Sequence, residues 1–152
     1  MTGPTLAVPS REEWGDLGVD LEVEHGYKLF GGKTVDEALP LFVENPLERS
    51  AELHFAPGRV IAYYCFCYVS HLLSPASAGE ADMASTFLQL VRSAMHRSPH
   101  EIEAVWEHLG PAVASVTEGQ TFYEADEQIY GSFDALRRDI ESARPSRGGT
   151  GV

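Results

Sequence analysis

The stretch Val60–Leu73 reads Val-Ile-Ala-Tyr-Tyr-Cys-Phe-Cys-Tyr-Val-Ser-His-Leu-Leu and carries no formal charge. It is apolar or aromatic at almost every position, so no side of it suits water and it belongs in the middle of the fold. Its Val, Ile, Tyr, Cys and Phe content gives it high β-propensity, which keeps a buried strand open as an alternative. Its length is awkward for a strand and its neighbours read as helices, so a central helix is expected.

Working outward, both flanks carry helix-start signals. Ser10/Glu13, Thr34/Glu37, Asn45/Glu48, Ser77/Glu80, Ser98/Glu101 and Thr121/Glu124 each place an oxygen-bearing cap three residues before a Glu. The cap accepts from an orphan backbone N–H and the Glu reaches back to the cap's own N–H. Composition alone would produce roughly three such pairs, so only some are expected to form. Pro46 and Pro99 add a first-turn proline, whose missing N–H costs nothing there.

Between these signals the periodicity assigns the elements. Ser10–Leu17 reads as a short helix anchored by Trp14. Asp20–Leu29 alternates apolar and polar residues, the period of a half-buried strand or short hairpin. Thr34–Glu44 is helical, with Pro40 expected to end or kink it. Asn45–Ala56 places Leu47, Ala51, His54 and Phe55 on one apolar face before Pro57-Gly58 stops it. Ala81–His96 and Pro99–Leu109 are amphipathic helices, the second broken by Gly110-Pro111. Thr121–Arg144 reads as one long helix weakened at Gly131. The expected fold is mainly α: a single-domain bundle of about six helices over residues 10–144, with the short N-terminal strand or hairpin. Residues 1–9 are expected to be flexible and the Gly/Ser-rich tail 145–152 disordered.

The chain of 152 residues has 23 acidic and 11 basic side chains, a net charge of −12. Residues 1–44 carry −6, 45–97 carry 0, 98–144 carry −7 and the tail +1. Acidic flanks repel phosphate backbones, which argues against nucleic acid and for a basic protein partner. The apolar run is too short to span a bilayer, and the first ten residues hold no positive side chain, so a cytoplasmic protein is expected.

Catalytic signatures fare poorly. Gly31-Gly32-Lys33-Thr34 ends like a P-loop, but the required first glycine falls on Tyr27, and Asp36 and Glu37 occupy the phosphate position. Cys65 and Cys67 are about 200° apart on a helix and have no second pair, so they read as small buried hydrophobes. Glu22…His25 is the lone Glu-x-x-His, where a di-iron bundle needs two on helices. No Gly-x-Ser-x-Gly or Ser-x-x-Lys occurs. No metal or cofactor is expected, and the lack of a catalytic motif favours a non-enzyme while leaving the enzyme question open.

Two functional readings remain. The first is a binding module, an inhibitor or immunity-type protein holding a basic partner with acidic helix faces, the contact surface being Glu124, Glu127, Tyr130 and Asp134. The second is a small metal- or ligand-binding enzyme using a pocket of His71, Tyr64 and Tyr68 on the central helix, with His54 from its neighbour. Buried Tyr and His seek hydrogen-bond partners, so the same residues also fit a satisfied polar seam. Self-association through the aromatic-rich helices is compatible with either.

Overall fold

The computed structural model describes residues 6–146 and is mainly α. The expected flexible start and disordered tail lie, for residues 1–5 and 147–152, outside the described residues. Leu6 and Val8 pack against the core, and the Ala7 carbonyl accepts a hydrogen bond from Arg59.

The helices are α1 (Leu21–Phe30), α2 (Val35–Glu44), α3 (Pro46–Leu53), α4 (Gly58–Leu72), α5 (Ala81–Arg97), α6 (Pro99–Glu103), α7 (Trp106–Glu118), α8 (Glu127–Tyr130) and α9 (Phe133–Ser142). Short 3₁₀ turns occupy Glu12–Trp14 and Pro75–Ser77. The stretch that decides the fold is α4, with every side chain from Val60 to Val69 buried. As a helix these residues span about 22 Å, whereas a strand would need more than about 45 Å, wider than a domain of this size.

The central helix lies against α2 and α5, with α6 at its start; α1 packs on α3, and α9 joins α5 to α7. An aromatic cluster fills one side of α4. Phe30 and Tyr64 stand 4.9 Å apart, Phe30 and Phe42 5.1 Å, and Phe42 and Tyr68 5.2 Å, all edge to face. Such pairs add about 0.5–1.5 kcal/mol each beyond area burial.

Three of the six expected caps form. Thr34/Glu37 and Ser10/Glu13 make both reciprocal bonds, and the Asn45 side chain accepts from the Glu48 N–H. Pro40 sits inside α2 without ending it.

The strand or hairpin expected near Asp20–Leu29 is a helix instead. The Asp20 carboxylate accepts from the Glu22 and Val23 N–H groups, which starts α1. Val23, Gly26 and Phe30 then face the core at helical spacing, and that spacing overrides the period-two alternation. Gly26 is the residue that lets α1 approach α3.

The helix count exceeds six because α1 replaces the expected strand and two expected helices are divided, although Ser10–Leu17 is reduced to the 3₁₀ turn Glu12–Trp14. Pro99–Leu109 breaks at Ala104–Val105, and α7 then runs through Gly110 and Pro111. Thr121–Arg144 is a loop, the single turn α8, and α9. Gly131 has φ 78°, a conformation that ends a helix, so it stops α8 rather than only weakening it. Gln120 holds this segment: its amide donates to the Ala125 and Gly131 carbonyls at 2.8 Å each and accepts from the Phe133 N–H at 2.9 Å.

Candidate functional site

Tyr64 and Tyr68 of the central helix are spent on neighbouring backbone, and His71 on a carboxylate. The Tyr64 hydroxyl donates to the Lys33 carbonyl at 2.7 Å and lies 3.1 Å from the Phe30 carbonyl. Tyr68 donates to the Pro46 carbonyl at 2.7 Å. Burial raises the pKa of both hydroxyls, so they remain neutral donors that tie the α1–α2 and α2–α3 connections to α4. His71 Nε2 is 3.0 Å from a Glu80 carboxylate oxygen at the start of α5. His54 lies at the other end of that helix, where its carbonyl accepts from Arg97. The length of α5, about 25 Å, therefore separates His54 from His71.

The four residues of the expected acidic face fall on separate pieces. Glu124 is in the loop with φ 58°, Glu127 and Tyr130 are in α8, and Asp134 is in α9. The Tyr130 hydroxyl donates to Asp82 at 2.6 Å, and that bond raises its pKa.

The arrangement that sequence reasoning missed lies between α1 and α3. α3 buries Arg49, Glu52 and Leu53, followed by Ala56, and leaves Leu47, Ala51 and Phe55 exposed. The apolar face expected to enter the core is therefore the outer one. Arg49 grips Glu52 with both edges of a fork, Nε to Oε1 at 2.5 Å and Nη2 to Oε2 at 2.8 Å. His25 of α1 reaches the same carboxylate, Nδ1 to Oε2 at 2.5 Å. Glu52 is fully buried, and these two partners offset the cost of holding its charge away from water. The signal was present in the sequence: Arg49, Glu52, Leu53 and Ala56 have the same i, i+3, i+4, i+7 spacing as an apolar face, and Glu22…His25 opposes them.

Oxygens of Glu22, Glu48 and Glu52 lie within 4.8 Å of one another, which makes this the group that could hold a cation. The Arg49 guanidinium already occupies both Glu52 oxygens and places a positive charge beside any ion bound there.

The chain matches no family model, no curated protein and no solved structure. Among the described residues, no helix is long and apolar enough to cross a membrane.

Proposed function

We propose that this chain is a protein-binding module whose docking face is the outer side of α3 with the adjoining edge of α1. Its partner is a basic protein presenting an amphipathic helix, and the module acts as its inhibitor.

The observation that carries this reading is the inverted amphipathicity of α3. Leu47 of α3 and Phe55, two residues past its end, are each 59% exposed, four residues to either side of Ala51, while Arg49 and Glu52 of the helix are buried. Leaving a Leu or Phe side chain in water forgoes about 1.5–3 kcal/mol that burial would return. An apolar stripe at i, i+4, i+8 is the register in which a helix meets another helix or its groove. Leu21, at the first turn of α1, is 80% exposed as well. Glu22 and Glu48 border the stripe with negative charge, and the net charge of −12 favours capture of a basic protein.

The test is capture from host lysate by the wild type, by Leu47→Glu/Phe55→Glu and by Glu22→Lys/Glu48→Lys. A genuine partner is basic, leaves as salt rises, and is lost by both variants. A stoichiometric partner that both variants retain would place the docking face elsewhere.

A further inference from the structure

We infer that the open cavity between α3 and α5 is a binding site for a phosphoryl oxyanion, held by Arg92 and Arg97. It rests on different observations from the partner-docking reading, although Phe55 of the docking stripe lies under Arg97 at the cavity rim.

The cavity has a volume of about 330 Å³, and the side chains around it include Arg92, Arg97, His54, His96, Ser93 and Leu90. None of the residues lining it is Asp or Glu, in a chain with 23 acidic side chains against 11 basic ones. Two guanidiniums and two imidazoles thus gather where the rest of the surface is acidic. Arg92, Ser93, His96 and Arg97 come from α5, His54 and Ser50 from the last turns of α3, and Leu90 adds an apolar contact.

Arg92 is incompletely paired. Two other arginines in this protein use the Nε/Nη2 edge to grip a carboxylate: Arg49 on Glu52, and Arg144 on Glu103 at 2.8 and 2.7 Å. Arg92 instead meets Asp139 through Nη1 at 3.4 Å, from the α9 side. Its Nε is buried and has no hydrogen-bond partner among the described residues. The Nε lies out of a ligand's reach, so the cavity is served by the outer nitrogens of this guanidinium, on a side chain that is 42% exposed. Arg97 donates to the His54 carbonyl and lies over the Phe55 ring at 4.9 Å, which fixes its guanidinium at the cavity rim.

A carboxylate needs one fork in one plane. Donors arriving from both α3 and α5 suit the several oxygens of a tetrahedral phosphoryl group, as inorganic phosphate or on a small phosphomonoester. Asp139 also holds His96 Nε2 at 3.0 Å, so it competes for the same cations.

The experiment titrates the full chain with inorganic phosphate, phenyl phosphate, acetate and chloride at matched ionic strength. Thermal unfolding and amide chemical shifts are the readouts. Phosphate and phenyl phosphate should raise the unfolding temperature above the chloride control and shift amides at Ser93, His96 and Arg97. Arg92→Gln and Arg97→Gln should each weaken phosphate at least tenfold, Arg92→Lys less so, and Asp139→Asn should strengthen it. Phenyl phosphate binding without inorganic phosphate would assign a monoester, and equal binding the bare group. Phosphate and phenyl phosphate both behaving as chloride would overturn the proposal, as would acetate binding more tightly than either, or shifts from the phosphoryl ligands that fall away from α3 and α5. The amide map reads the site in the wild type, so it decides even where an arginine variant fails to fold.

Discussion

Gly26 of α1 lies so close to Glu52 of α3 that a Cβ on the glycine would stand 2.9 Å from the Glu52 Cβ. That contact sets the helix spacing and brings His25, one residue earlier, onto the Glu52 carboxylate. Gly26→Ala gains about 1 kcal/mol of helix propensity. It also forces apart two packed helices, which costs about 1–3 kcal/mol. The expected result is a lower urea midpoint with an unchanged slope. A raised midpoint would show that α1 and α3 can separate freely.

Arg49 and Glu52 form a buried pair, so neither tolerates loss of the other. Arg49→Leu leaves the Glu52 charge with His25 alone, and Glu52→Leu strands a buried guanidinium. Each should destabilise by about 3–5 kcal/mol. The double variant Arg49→Leu/Glu52→Leu should cost much less than the two combined, because no uncompensated charge remains. Denaturant unfolding of the four proteins closes the cycle. Additive single effects would sever the two side chains energetically.

The same pair explains where the sequence was legible and where it was not. Val60–Leu73 was readable as the central element because an uncharged run has only the interior to occupy, while helix over strand rested on its length and its helical neighbours. α3 was readable as a helix, since Asn45 and Pro46 mark its start, but its facing was not. Facing depends on whether a charge finds a partner, and the partners of Glu52 include His25, 27 residues away in the chain. Asp20–Leu29 misled because, of the alternating Leu21, Val23, His25, Tyr27 and Leu29, only Val23 is buried, and the buried face is completed by Gly26 and Phe30. Thr121–Arg144 misled because a favourable apolar period continued across Gly131, while the backbone there takes a positive φ and Gln120 supplies the bonds that stabilise the break. The outer stripe of Leu47, Ala51 and Phe55 and the Arg92 cavity depend on the same long-range packing.

Cys65 and Cys67 should be chemically inert in the folded protein. Both thiols are buried, and desolvation pushes their pKa up, so little thiolate is present at neutral pH. Labelling with a disulfide reagent at about pH 8 should proceed at the rate of unfolding, at least about 100-fold more slowly than in strong urea. One thiol reacting at once in the native protein would mark a pocket opening beside α4.

Asp139 links α9 to α5 and should make a small, pH-dependent contribution to stability. The hydrogen bond from His96 and then Arg92 hold its carboxyl below the usual carboxylate range. A depressed carboxyl stabilises the fold fully above its unfolded value, near about 3.9, and loses that contribution as pH falls through the folded value. The side chain is 38% exposed, so solvent screening keeps the effect below about 1 kcal/mol. Wild type should therefore exceed Asp139→Asn in urea midpoint at about pH 7, with the gap narrowing only below about pH 4. A gap that widens as pH falls below about 4 would mean that the carboxylate opposes folding, and that Arg92 and His96 do not hold it in solution.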